Sequence, residues 1–202
     1  MSSSEELALV LDHSALALNE GKEEEERRVV YELGELLPKV PATWFVSLDY
    51  LKTLHSVMER GERRYEKLPL LQGSLKRAFR ELMELARSRN HHCKPIQMRR
   101  DHKLKLHVIS RSAFKKVKEK EDERMHEMLI KVKEDHGLGD EDVEVMSITL
   151  LALRHIRSKL VVVTSDRGII NAFETIRDLT NERVEVVRPT REFLGELEML
   201  HT

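Results

Sequence analysis

The sequence predicts an α/β domain with a central, mostly parallel sheet. Short apolar segments such as LALVL (residues 7–11) and LVVV (residues 160–163) have the composition of strands that are buried on both faces. They alternate with longer segments whose apolar residues recur at helical spacing. A chain of 202 residues with 40% hydrophobic content is enough for one such core, so we expect a single domain over residues 1–202.

The first part of the chain predicts two strand–helix units. The strand at residues 7–11 ends at Asp12, and a helix is expected over residues 20–37. The segment ATWFV (residues 42–46) predicts the second strand, and Ser47 after it is a suitable N-cap for the next helix. Asp12 is therefore placed at the carboxyl end of a strand.

The middle of the chain predicts a basic, mainly helical insertion at about residues 63–135. We expect helices over residues 63–89 and 113–134, the second capped by Ser110, and a short strand over residues 104–109 between them. Glycines at 137 and 139 end the second helix.

The charge of the chain is strongly asymmetric. Between Arg63 and Lys118 there are 17 Lys or Arg and 4 Asp or Glu, a net charge of +13, so the rest carries −14 of the overall −1. A basic block of this size is typical of surfaces that bind phosphate backbones, although a solvated pair of charged helices would have the same composition.

The last third returns to alternating helices and strands. Asp140 opens a helix with acids in its first turn, where negative charge is favourable. The strand at residues 160–163 runs into Thr164, Ser165 and Asp166. The remaining predicted elements are a helix over residues 168–179, a strand over residues 184–187 and a helix from Thr190.

Composition narrows the class of protein. The lone Cys93 excludes an intramolecular disulfide framework, and no apolar run of 18 residues occurs. We therefore expect a cytoplasmic protein with no membrane partner.

The acidic residues at strand ends predict a metal site. In open parallel sheets, ligand sites form outside the carboxyl ends of the strands, where Asp12 and Asp166 are expected. The helix that begins at Asp140 adds Asp142 and Glu144. Carboxylates gathered in one place repel each other unless a divalent cation lies among them, and all-oxygen ligands suit Mg²⁺ or Mn²⁺. Each acid could instead be a turn residue or a helix cap.

Three motifs resemble a known family. The segments VLDHSAL, DEDVEVMSITLLAL and VVVTSDRGI are similar, in order and spacing, to the strongest motifs of PIN-domain nucleases. The resemblance implies a PIN-like three-layer fold and a metal-dependent endoribonuclease that uses Mg²⁺ or Mn²⁺. It implies Asp12, Asp142 and Asp166 as catalytic metal ligands, with Glu144 and Asp140 as neighbouring candidates, and Thr164 as the hydroxyl residue before the last aspartate.

The segments EDVEV and KLKLHVISRSAFKKVKEKEDERMHEMLIKVKE are similar to the protein-only RNase P and RNA ligase partner group. This implies structured RNA, such as a tRNA precursor, as the partner and a role in RNA processing. The cations expected to grip RNA phosphates are Lys76, Arg77, Arg80, Arg99, Arg100, Lys103, Lys105, Lys115 and Lys116. Apolar positions on the insertion helices, Leu82 and Met83, suggest a homo-oligomer.

One family position departs from the pattern. Members of the family usually carry a glutamate on the helix after the second strand, where this chain has Lys52, Thr53 or His55, with Asp49 and Glu59 as imperfect substitutes. The departure supports an alternative, in which the chain is a catalytically weak or silent RNA-binding subunit.

Three further alternatives are ranked lower. A toxin-type ribonuclease with an antitoxin partner is usually shorter and lacks so long a basic insertion. A receiver-like domain needs an acid pair at the first strand end, and here His13 follows Asp12. A zinc site from His91, His92, Cys93 and His102 lacks the spacing of paired ligands.

Overall fold

The fold is that of a computed structural model, which describes residues 6–17, 23–59, 96–97, 102–109, 111–119, 123–180 and 182–201. Expectations that concern other residues, including the helix over residues 63–89, the Ser110 cap, the cluster at 91–93 and the pair Leu82 and Met83, lie outside these ranges.

Five parallel strands form the body of one sheet, as the sequence predicted. The strand order is β3-β4-β2-β1-β5-β6, and β3 pairs with β4 in the antiparallel sense at one edge. All other pairings are parallel. The strands are Leu7–Leu11 (β1), Ala42–Val46 (β2), Ile96–Gln97 (β3), Lys105–Val108 (β4), Leu160–Val163 (β5) and Val184–Val187 (β6).

The described helices pack in two groups. They are His13–Leu16 (α1), Glu24–Leu36 (α2), Leu48–Glu59 (α3), Ala113–Glu119 (α4), Glu123–His136 (α5), Asp140–Ala152 (α6), Arg167–Thr175 (α7), Arg177–Thr180 (α8) and Arg191–His201 (α9). Helix α6 packs against α3, α4, α5 and α7, whereas α2 packs against α1 and α9. The connections from β1 to β2 and from β5 to β6 run in opposite directions, so right-handed crossovers place α2 and α7 on opposite faces of the sheet.

The core lies on both faces of the sheet, with buried residues of α2 and α9 as well as of α6. Every residue of β5 is buried, and Leu9 and Leu11 of β1 are fully buried. All residues from 143 to 152 of α6 are buried, which is expected of a helix enclosed on all sides. Its buried hydroxyls are satisfied locally, since Ser147 Oγ donates to Val143 O at 2.7 Å and Thr149 Oγ1 donates to Val145 O at 2.9 Å.

The predicted strands agree closely with the structure, and the helices less so. The strands at 7–11, 42–46, 160–163 and 184–187 are confirmed at their bounds. The helix expected over residues 168–179 is instead two helices, α7 and α8, and it begins at Arg167 because Asp166 is its N-cap. The helix expected over residues 113–134 is present as α4 and α5, and residues 120–122 between them are not described.

Part of the segment predicted as a basic insertion belongs to the core. Strand β4 pairs with β2 along its whole length. Leu106 and Ile109 are buried, as are Ala113 and Val117 of α4. Among the described helices, none combines the length and apolar composition needed to cross a membrane.

Candidate functional site

The candidate site lies where the order of the strands reverses. Strand β1 has β2 on one side and β5 on the other. The chain first forms the strands on the β2 side and then crosses to form β5 and β6 on the other side. Asp12 directly follows β1 and Asp166 comes three residues after the end of β5. The connections that follow two neighbouring parallel strands run in opposite directions at such a point, and the crevice between them is the usual ligand site of an open α/β sheet.

Asp12 is buried and held by hydroxyl groups. Its relative exposure is 5%. Oδ2 accepts hydrogen bonds from Thr164 Oγ1 at 2.8 Å, from the backbone N–H of Ser14 at 3.2 Å and from Ser14 Oγ. Every bond that a described residue donates to this carboxylate goes to Oδ2, so Oδ1 keeps its lone pairs for another partner.

The same hydroxyls join the loops that follow β1 and β5. Thr164 is fully buried, and its Oγ1 also accepts from the backbone N–H of Asp166 at 3.0 Å. Ser14 Oγ accepts from the backbone N–H of Ser165 at 2.8 Å. The positions of Asp12 and Asp166 are therefore fixed by one shared network, although about 150 residues separate them in the chain.

Asp166 serves as the N-cap of α7. Its Oδ1 accepts from the backbone N–H groups of Gly168 at 2.6 Å and Ile169 at 3.2 Å. The residue is exposed. This bonding satisfies two of the free N–H groups of the helix and places the charge at the positive end of its dipole.

Asp142 is the third acid, and its charge interacts with the other two. It is half-buried, and its Oδ2 accepts from the backbone N–H of Gly139 at 2.7 Å. Burial raises the pKa of Asp142 above its ordinary value, the bond from Gly139 opposes this, and the negative charges of Asp12, Asp166 and Glu141 raise it further. The fold thus brings the three predicted aspartates into one electrostatic neighbourhood.

The other two predicted acids have structural partners of their own. Asp140 is exposed and pairs with Lys133 at 2.5 Å, and the hydrogen bond and charge of Lys133 hold the pKa of Asp140 below its ordinary value. Glu144 is buried at 9% exposure and accepts from the backbone N–H groups of Ala113 at 2.6 Å and Phe114 at 3.0 Å. Glu144 is therefore a cap for helix α4, supplied by a different helix.

Sequence reasoning missed a second link across the site. His13 Nδ1 lies 3.2 Å from Glu141 Oε2, and the His13 ring stacks on Tyr50 with centroids 4.3 Å apart. Tyr50 in turn donates its hydroxyl to the carbonyl of Leu11. These contacts tie the end of β1 to the first turn of α6 and to α3. The histidine beside Asp12 was visible in the sequence, but nothing there indicated its partners.

The helix that lacks the family glutamate carries a local ion pair instead. Lys52 Nζ lies 2.9 Å from Asp49 Oδ1, and Thr53 Oγ1 donates to the carbonyl of Asp49 at 3.2 Å. Asp49, one of the two substitutes considered, is thus already paired. The side chain of Glu59, the other one, lies outside the described residues.

The predicted RNA-binding cations fall into two places. Lys103 and Lys105 lie at the amino end of β4, where Lys103 Nζ donates to His201 O at 3.4 Å and Lys105 Nζ pairs with Glu6 at 3.2 Å. Lys115 and Lys116 lie on α4, beyond the carboxyl end of β4, and Lys116 Nζ donates to Ile109 O at 3.2 Å. Lys76, Arg77, Arg80, Arg99 and Arg100 lie outside the described residues.

The donor set of the site suits a hard divalent cation, but the side chains are not gathered around one point. Within the described ranges, no group of three or more His, Cys, Asp or Glu is arranged to hold a metal ion. Asp142 and Asp166 are instead bonded to N–H groups at the starts of their own helices. The carboxylates of Asp12, Asp142 and Asp166 are nevertheless ligands of the kind that Mg²⁺ and Mn²⁺ prefer.

The chain was compared with models of protein families, with curated proteins and with solved structures. None of the three comparisons finds a match. The function of the site is therefore inferred from its own side chains and from the motifs that contain them.

Proposed function

We propose that the chain is a Mg²⁺- or Mn²⁺-dependent endoribonuclease with a PIN-like fold. The observation that carries the proposal is the hydrogen-bond network that joins Asp12 and Asp166 at the strand-order reversal. Asp142 belongs to the same neighbourhood, since burial raises its pKa and the charges of Asp12 and Asp166 raise it further. The carboxylates of Asp12, Asp142 and Asp166 repel one another, and this repulsion costs folding free energy that opposes the stabilisation from the helix-start hydrogen bonds of Asp142 and Asp166. A divalent cation among them would remove that cost and stabilise the site.

The chain's own residues have distinct roles in this proposal. Asp12, Asp142 and Asp166 would hold the cation, and Ser14 and Thr164 orient Asp12 through hydrogen bonds to its Oδ2. When bound, the cation supplies a more acidic water and neutralises charge that develops on the phosphoryl oxygens. Hydrolysis would join the oxygen of a water to phosphorus, break the bond to the 3′ oxygen and leave one proton of that water on the 3′ oxygen, so that the products would carry a 5′-phosphate and a 3′-hydroxyl.

The distribution of charge along the chain favours a polyanionic substrate. The segment from Arg63 to Lys118 carries +13, and this excess offsets the repulsion between an acidic site and a polyanion. The charge supports a polyanionic substrate bound through its backbone, and the motif resemblance implies that this is structured RNA, such as a tRNA precursor.

The test is cleavage of labelled structured RNA in the presence of Mn²⁺. We expect the unaltered protein to cut the RNA. The double variant Asp12→Asn, Asp166→Asn should cut at least about 100-fold more slowly, because it loses the ligands of the cation and with them the positive charge that would stabilise the transition state. Asp140→Asn is the matched control, because Asp140 is exposed and paired with Lys133. It should cut like the unaltered protein.

A catalytically silent RNA-binding subunit is the second candidate. It is favoured by the lack, within the described ranges, of a ready group of metal ligands and by Lys52 and Thr53 in place of the family glutamate. Identical cleavage traces from the unaltered protein and the double variant, together with retained RNA binding, would support this candidate against the nuclease.

A further inference from the structure

We propose that Arg111, Arg167 and Arg188 form a phosphate track along the carboxyl edge of the sheet, and that a single RNA strand lies over it. The inference rests on the proposed function and adds the path of the substrate. None of the three is among the cations that the sequence suggested for RNA binding, because their common location depends on the strand order.

The three arginines flank the acids on both sides. Arg111 follows β4, Arg167 follows Asp166 at the end of β5, and Arg188 directly follows β6. The order of the strands places Arg111 on one side of Asp12 and the other two arginines on the opposite side. From β4 to β6 there are four strand spacings, about 19 Å, which is roughly the length of five stacked nucleotides.

The backbone at one end of this track is anchored at the carboxyl edge. The carbonyl of Arg111 accepts a hydrogen bond from the backbone N–H of Asp49 at 2.7 Å, and Asp49 lies in the first turn of α3, just beyond β2. At the other end, the backbone N–H of Thr164 donates to the carbonyl of Val187 at 3.0 Å, which fixes the residue before Arg188 beside the site.

The side chains of the track are available for a ligand. All three arginines are exposed, and none of their guanidinium groups makes a hydrogen bond or ion pair with a residue that the structure describes. Within the described ranges, the Arg167 side chain has no ion-pair partner although it is adjacent to Asp166. By contrast, Arg191 bridges Glu25 and Glu32, and the guanidinium of Arg183 donates to three backbone carbonyls.

Guanidinium groups in a row match a phosphate backbone. Each can donate two parallel hydrogen bonds to one phosphate, and each phosphate that is neutralised releases bound counterions. Such contacts hold a strand without reading its bases. Because the strand order places cations on either side of the acids at the same edge of the sheet, a single strand that follows them would pass over Asp12 and Asp166.

The test is the salt dependence of RNA binding. A short fluorescent single-stranded RNA is titrated with protein in EDTA over a series of salt concentrations, and binding is read by fluorescence anisotropy. The slope of log K against log salt should become shallower by about 0.7 for each arginine lost, so by about 2 in Arg111→Ala, Arg167→Ala, Arg188→Ala. The affinity should fall several-fold per arginine.

The matched control is the double variant Arg157→Ala, Lys159→Ala. Both residues are exposed and precede β5, so they lie at the opposite edge of the sheet. The control should bind like the unaltered protein, and circular dichroism should show that all variants are folded.

Three outcomes would overturn the track. They are an unchanged slope in the triple variant, an equal loss in the control, and no RNA binding by the unaltered protein. If the triple variant lost as much affinity for a duplex RNA as for the single strand, the proposed strand path would be contradicted. Binding is measured in EDTA and cleavage in Mn²⁺, so the two results are independent. A protein that binds RNA through the track but cuts none in Mn²⁺ would overturn the proposed function alone.

Discussion

Asp142 carries a charge that the fold holds at a cost. Burial and the charges of Asp12 and Asp166 raise its pKa above the ordinary value of 3.8. For a carboxyl group with a raised folded-state pKa, the contribution to stability is fully present below the unfolded-state pKa and is lost as the pH rises through the folded-state value. At neutral pH in the absence of a cation, ionised Asp142 therefore destabilises the fold.

Replacement of Asp142 by Asn should therefore stabilise the protein in a chelator. The Asn side-chain oxygen can still accept from Gly139, while the negative charge is removed. We expect a gain below about 1 kcal/mol at pH 7, since the site is partly solvent-screened, or a melting temperature higher by at most about 2–4 °C. The gain should vanish below pH 3.8, the ordinary pKa.

Asp140→Asn is the comparison for this measurement. The pKa of Asp140 is lowered by Lys133, so its removal should bring no gain at pH 7. An equal rise in both variants would show that the neighbourhood of Asp12 and Asp166 is not the cause.

Thr164 is the residue whose hydroxyl holds two of the acids in place. Thr164→Val removes one of the donors to Asp12 Oδ2 and the acceptor for the Asp166 N–H, so Asp12 keeps only its bonds from Ser14 and the part-buried N–H loses its partner. We expect a loss of about 1–3 kcal/mol in urea unfolding and a lower cleavage rate. Thr164→Ser keeps the hydroxyl and should retain most of the stability and most of the cleavage rate. Unaltered stability in the valine variant would contradict the network.

At the scale of elements, helix α6 connects the acids to the segment after β4. Its first turn carries Asp142, and Glu144 two residues later accepts from the first N–H groups of α4. Lys115 and Lys116 of α4 are thereby held near the carboxyl edge of the sheet.

Variants of Glu144 should separate its capping role from a catalytic one. Glu144→Ala leaves buried N–H groups without a partner and should cost about 1–3 kcal/mol of unfolding free energy. Glu144→Gln keeps an acceptor and should lose less stability while retaining cleavage. A glutamine variant that is as stable as the unaltered protein but cuts no RNA would instead place Glu144 among the reacting groups.

The sequence was informative where the signal was local. The strands β1, β2, β5 and β6 were predicted at their bounds because short segments rich in apolar and β-branched residues are typical of strands in a parallel sheet. The positions of Asp12 and Asp166 followed from those strands. The role of Glu144 and the contact of His13 with Glu141 were not predictable, because their partners lie 31 and 128 residues away.

At the scale of the whole molecule, cation binding should be visible as added stability. A ligand at 100 times its dissociation constant adds about 2.7 kcal/mol, which for a chain of this length is roughly 5–10 °C in melting temperature. We expect this rise with Mn²⁺ in the unaltered protein, its reversal by EDTA, and none in the variant Asp12→Asn, Asp166→Asn. An equal rise in the variant would place the cation elsewhere.

The bonds that Asp142 and Asp166 make to the starts of their own helices have a practical consequence. Because backbone N–H groups already hold these two carboxylates in position, their positions do not depend on a bound ion. We expect the chain to survive dialysis against chelator intact and to regain activity once the ion is restored, so that metal supply would switch catalysis on and off without unfolding and refolding the protein.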